Sequence, residues 1–135
     1  VNTSMNYYYR NGIGDEILYI QSGIGTLTTN LGKLECNPGD YVVIPRGILW
    51  QLNPIENLRI LIIDSTGPIE TPNQYRNRFG QLLENSPFCE RDIKTPVLQE
   101  PLDSQGDFIV IINKKTFQIC LYVSKYDIHC DIWIF

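Results

Sequence analysis

Apolar and polar residues alternate with a period of two through most of the first half of the chain, and β-branched residues are common there. No stretch of a dozen residues places apolar side chains at the i, i+3, i+4, i+7 spacing of an amphipathic helix. The pattern predicts strands over 6–10, 16–22, 25–30, 32–36, 41–45, 48–53 and 58–64. Turn residues separate them. Asn11-Gly12-Ile13-Gly14-Asp15 and Ser22-Gly23-Ile24-Gly25 are glycine-rich corners, Asn30-Leu31-Gly32 closes a tight hairpin, and Asn37-Pro38-Gly39-Asp40 supplies a fixed φ and then a positive one. Short strands at this spacing specify an all-β sandwich or barrel.

The texture changes after Thr66. Gly67-Pro68-Ile69-Glu70-Thr71-Pro72-Asn73-Gln74 reads as an extended connector, and Tyr75 to Glu84 has a weak helical pattern that Gly80 limits to a turn or two. Residues 89–106 read as a charged loop. Phe108 to Ile112 and Phe117 to Val123, joined by Asn113-Lys114-Lys115, read as a β-hairpin apolar on both faces, expected between layers rather than at an edge. The expected organisation is a barrel over 1–66, a connector over 67–107, and a hairpin with an apolar tail over 108–135 in the same domain.

Composition narrows the chemistry. At 135 residues a single core is expected. With 11 Lys+Arg against 15 Asp+Glu the net charge is −4, and Lys114-Lys115 is the one adjacent basic pair, so no phosphate-neutralising patch for nucleic acid exists. The longest apolar runs are far too short to span a bilayer, and no charged-then-apolar leader opens the sequence, so a soluble cytoplasmic chain is expected. Cys36, Cys89, Cys120 and Cys130 have neither CxxC pairing nor metal-ligand spacing and read as reduced, mostly buried thiols. The one histidine, His129, lacks an evident orienting partner for base catalysis.

Two segments carry the paired motifs of the cupin superfamily. Glu16, six intervening residues and Gly23 reproduce the second half of the first motif; Gly39, Pro45 and Gly47 fall on fixed positions of the second. The resemblance implies a double-stranded β-helix, or jelly-roll barrel. It also places Tyr9 and Asn11 at two positions where metal-binding cupins have His, Glu16 at the conserved carboxylate, and Trp50 at the late His. An indole N–H has no lone pair for a metal, so these residues imply a barrel without metal of its own, with Glu16 a hydrogen-bonded structural carboxylate.

More specific phrases follow. Asn2-Thr3-Ser4-Met5, Tyr8-Tyr9-Arg10-Asn11, Gly14-Asp15-Glu16, Gly39 through Gly47 and Gly67-Pro68-Ile69-Glu70 resemble the homogentisate 1,2-dioxygenase family. Tyr75 through Glu84, with Pro87 and Cys89-Glu90-Arg91-Asp92, is similar to its bacterial-type branch. The likeness loosens over 108–127 and fails beyond Ile128. The resemblance implies a two-cupin protein whose carboxyl-terminal barrel holds Fe(II) and opens homogentisate to maleylacetoacetate in Phe and Tyr catabolism. This chain would then be a non-catalytic amino-terminal scaffold, inactive alone, with that carboxyl-terminal cupin and further copies of itself as partners. No catalytic or metal residue is assigned within it. The alternatives are a free-standing metal-less cupin that binds a small aromatic molecule between Tyr9, Glu16 and Trp50, and an iron enzyme using Glu16 and His129.

Three smaller expectations complete the reading. Tyr7, Tyr8 and Tyr9 should alternate in and out along a strand. Arg76, Arg78 and Arg91 are candidates for ion pairs between subunits or domains. The apolar tail Ile132 to Phe135 and the two-faced hairpin should favour self-association.

Overall fold

Strict alternation decides which side chains form the core. A computed structural model describes residues 1–100, 105–112, 115–122 and 133–134. The strands are β1 (Tyr8–Asn11), β2 (Asp15–Ser22), β3 (Gly25–Thr29), β4 (Gly32–Cys36), β5 (Tyr41–Ile44), β6 (Leu49–Pro54), β7 (Arg59–Ser65), β8 (Gln105–Ile112), β9 (Lys115–Tyr122) and β10 (Trp133–Ile134). They form two sheets, ordered β4-β3-β6-β1-β8-β9 and β10-β5-β2-β7. Pairing is antiparallel except between β1 and β8, which run parallel. This is a cupin-like all-β sandwich.

The inward residues of both sheets meet in one core. Leu18 and Ile20 of β2, Leu27 of β3, Leu34 and Cys36 of β4, Val42 and Ile44 of β5, and Trp50 and Leu52 of β6 are all buried in it. Lys33 and Glu35, between the buried positions of β4, are exposed, as a sheet with one wet face requires. Burying a Leu or Ile side chain contributes roughly 1.5–3 kcal/mol, so this layer is the main stabilising term.

The strands lie within a residue or two of their predicted bounds, and β4 coincides. Two expectations are corrected. The hairpin starts at Gln105 rather than Phe108, because β8 extends toward the connector to pair fully with β9. Among the described residues β9 ends the larger sheet, so the hairpin supplies its outermost strand. Tyr75 to Glu84 is not helical: a 3₁₀ turn spans Asn73–Tyr75, and Arg76 then bridges to Leu82. The reason is Asn77, whose side-chain carbonyl accepts from the amides of Phe79 (2.9 Å) and Gln81 (3.0 Å), giving the backbone a turn in place of a helix.

The connector straps both sheets. Ile69 N–H binds Asp15 at one end, and Val97 exchanges two backbone hydrogen bonds with Lys33 at the other (3.0 and 2.8 Å). Gly32 makes this approach possible: its φ is +134°, and a Cβ there would stand 2.3 Å from the Val97 carbonyl.

Candidate functional site

Strand register builds the site. Tyr9 of β1 is the direct partner of Trp50 on antiparallel β6, so their rings lie side by side, edge to face, with centroids 5.1 Å apart. Asn11 follows Tyr9 by two residues and shares its face. The corner from Asn11 to Asp15 reverses the chain and brings Glu16, at the start of β2, opposite all three.

Their polar atoms converge on one carboxylate. The Tyr9 hydroxyl donates to Glu16 Oε1 at 3.0 Å, Asn11 Nδ2 donates to the same oxygen at 3.3 Å, and Trp50 Nε1 donates to Oε2 at 3.0 Å. Glu16 is 2% exposed and Trp50 5%. The orientation of the Asn11 amide follows from its other contacts, since Oδ1 accepts from the amides of Ile13 and Gly14. Asn11 therefore shapes the corner and supplies a donor.

Burial dominates the electrostatics. Removal from water pushes the Glu16 carboxyl above its ordinary range, the donors from Trp50, Tyr9 and Asn11 pull it partly back, and Asp64 raises it further. Burial beside Glu16 also drives the Tyr9 phenol well above its usual value, so Tyr9 stays a neutral donor. The cluster is an acidic acceptor enclosed by neutral donors. It organises a carboxylate, and its three donors are already committed to one another's common partner.

Asp15 was not singled out by the sequence, although it is buried beside Glu16. Its two oxygens accept from Arg46 N–H (2.9 Å) and Ile69 N–H (2.7 Å), tying the β5–β6 turn and the connector to β2. An acidic pair at a strand start following a glycine-rich corner was the available signal. In the adjoining turn Gly47 has φ +87°, and its amide donates to the Asn11 carbonyl at 2.7 Å, closing the rim of the cluster.

The other candidates stand apart. Tyr7 and Tyr8 are half-buried and outside the Glu16 cluster. Arg76 pairs within the connector, with Glu70 at 3.1 Å, and Arg78 stacks on Phe79 at 4.6 Å, so both have partners inside the chain. Arg91 lies in an exposed 3₁₀ turn. Cys36 is buried, which pushes its thiol up to about 11, and Cys89 is free and half-buried. His129, Cys130 and the tail over 132–135 fall outside the residues described in side-chain detail, as does the Cys120 side chain. An open cleft of about 610 Å³ lies away from the cluster, lined by Thr26, Lys33, Lys94 and Val97 among others, with Lys94 held by Asp40 at 2.8 Å. Among the described residues no group of three His, Cys, Asp or Glu could hold a metal ion, and no helix is long and apolar enough to cross a membrane.

Two relatives share much of the chain. A protein of Saccharolobus solfataricus, provisionally named a dioxygenase, is 41% identical over 105 residues, 78% of this chain and 27% of its own length. A homogentisate 1,2-dioxygenase of Drosophila melanogaster is 30% identical over 130 residues, 92% of this chain and 27% of its own. The chain thus spans about a quarter of these relatives. The family described as homogentisate 1,2-dioxygenase N-terminal matches residues 1–131, which include all four residues of the Glu16 cluster and the connector that straps the sheets. By that match the chain belongs to the homogentisate 1,2-dioxygenase N-terminal family.

Proposed function

We propose that this chain is the non-catalytic cupin scaffold of a homogentisate 1,2-dioxygenase-like protein. Ring opening of homogentisate to maleylacetoacetate belongs to a carboxyl-terminal cupin that carries Fe(II), in the cytoplasm, as part of Phe and Tyr breakdown. The observation that carries this reading is the set of three donors on Glu16.

Fe(II) in a cupin needs lone pairs from imidazoles and carboxylates. The residues at the corresponding positions do not fit it. Trp50 Nε1 and Asn11 Nδ2 present N–H groups, the Asn11 carbonyl is occupied by two backbone amides, and Tyr9 keeps its proton. Glu16 alone is a suitable ligand, and both its oxygens already accept hydrogen bonds. The cluster therefore replaces a metal as the polar tie between β1, β2 and β6, holding the wall of the barrel at fixed geometry for the catalytic half.

Oxygen uptake tests this. The purified chain, incubated anaerobically with Fe(II) and then given homogentisate and air, consumes O₂ no faster than Fe(II) in buffer. Turnover that depends on the protein and yields maleylacetoacetate overturns the scaffold role.

A further inference from the structure

Asn11-Gly12 is the one Asn-Gly step in the sequence, and it begins the corner that carries the chain from β1 to Glu16. An Asn followed by Gly is prone to deamidate, because no Cβ hinders the next backbone nitrogen as it reaches the side-chain carbonyl carbon. The Gly12 nitrogen attacks Asn11 Cγ and gives its proton to water, while Nδ2 takes up a proton and leaves as ammonia. Water then opens the cyclic imide at either carbonyl. One water enters, one ammonia leaves, and aspartate or iso-aspartate remains, with no oxidant or reductant taking part.

The fold holds Asn11 away from this path. The residue is 8% exposed. Its Nδ2 donates to Glu16 Oε1 at 3.3 Å, and its Oδ1 accepts from the amides of Ile13 (2.9 Å) and Gly14 (3.3 Å). Donors to a carbonyl lie near its plane, so the Asn11 side-chain amide turns its oxygen edge, and not its face, toward the backbone that follows. Attack comes through the face. The backbone carbonyl of Asn11 accepts from Gly47 N–H at 2.7 Å, which fixes the rotation that sets where the Gly12 nitrogen stands. The torsions that the attack must change are therefore locked by contacts in and around the Glu16 cluster. Gly12 itself is exposed, so water reaches the step once those contacts open.

We propose that Asn11-Gly12 is a one-way deamidation switch, shut while the cluster holds Asn11 and thrown only when the corner opens locally. The product cannot restore the cluster. An aspartate at position 11 sets an oxygen where Nδ2 donated, facing Glu16 Oε1 across 3.3 Å, and iso-aspartate lengthens the main chain by one carbon beside the Tyr9 and Trp50 pair. Either product removes a donor from Glu16 and favours the open corner. The inference concerns the lifetime of the cluster and stands apart from the functional reading above.

Peptide mapping of the full chain during incubation at neutral pH tests the proposal, with the one-dalton gain at Asn11 and the iso-aspartate product followed over several weeks. Conversion should be at least about tenfold faster in urea that unfolds the chain than in buffer. Gly12→Ala should slow it in urea. Across lower urea concentrations the deamidation rate should rise in step with hydrogen exchange at the Ile13 amide, which reports the same opening. Glu16→Ala should deamidate several-fold faster than wild type in buffer; should that variant fail to fold, the urea series carries the test. Asn11→Asp, which copies one product, should melt several degrees below wild type. Equal rates in buffer and in unfolding urea overturn the proposal, because the contacts of Asn11 would then give no shield. Deamidation out of step with Ile13 exchange, or a folded Glu16→Ala chain that deamidates like wild type, overturns the local gate. An Asn11→Asp chain as stable as wild type overturns the one-way step.

Discussion

Replacing Trp50 with Phe removes one N–H from the Glu16 cluster while leaving an aromatic ring between the sheets. The lost bond is the 3.0 Å contact from Nε1 to Glu16 Oε2, with both residues buried. A hydrogen bond to a charged group contributes about 1.5–3 kcal/mol, and here the orphaned oxygen has no water to turn to. The smaller ring also leaves a void beside Tyr9, adding roughly 1 kcal/mol. The expected loss is therefore about 2.5–4 kcal/mol, or about 8–12 °C in Tm at ~3 °C per kcal/mol for a chain of this size. Denaturant unfolding of Trp50→Phe, Glu16→Gln and the double variant separates the two contributions. Glu16→Gln keeps a neutral acceptor worth about 1 kcal/mol in place of the charged one, so Trp50→Phe should cost less in that background, and the double variant should lose about 0.5–2 kcal/mol less than the sum of the two single losses. Equal costs of Trp50→Phe in both backgrounds would refute the reasoning, because the indole would then act through its volume alone.

Two further outcomes follow from the same geometry. Glu16 has its carboxyl raised in the folded chain by burial, so the folded state binds the extra proton; its contribution to stability is greatest below the ordinary carboxylate range and is lost as pH rises through the raised value. Thermal melts should therefore show wild type gaining on Glu16→Gln as pH falls from neutrality, and parallel profiles would show that Glu16 titrates normally. Gly32→Ala should cost about 1–3 kcal/mol, because φ is +134° and the new Cβ would meet the Val97 carbonyl at 2.3 Å. Hydrogen exchange at the Val97 amide should accelerate as the strap lifts; unchanged exchange there would sink that explanation.

The strands were legible because alternation in segments such as Leu18-Tyr19-Ile20 and Gly32 through Cys36 reflects a sheet with one buried face. The resemblance to the cupin motifs, carried by Glu16 with Gly23 and by Gly39, Pro45 and Gly47, set Tyr9, Asn11, Glu16 and Trp50 at positions that converge in that fold, and the hydrogen bonds on Glu16 show them together. What that cluster does internally was not legible. Hydrogen-bond direction depends on the register between β1 and β6 and on the corner shaped by Asn11, which are products of tertiary pairing. Asp15 was missed because its partners, the amides of Arg46 and Ile69, are distant in sequence. The segment 75–84 misled because Phe79, Leu82 and Leu83 share a helical spacing, while the local preference of Asn77 for its own backbone prevailed. The exposure of Leu61, Ile62 and Ile63 on β7 could not be read at all, since Ile60-Leu61-Ile62-Ile63 has the composition of a buried strand.

The central claim is that three donors on Glu16 stand where a metal cupin has ligands. Anaerobic equilibrium dialysis of the chain against Fe(II), with iron counted per chain, tests it most directly. The account predicts no saturable site and the same baseline for wild type and Glu16→Gln. One iron bound per wild-type chain, abolished by Glu16→Gln, would contradict it.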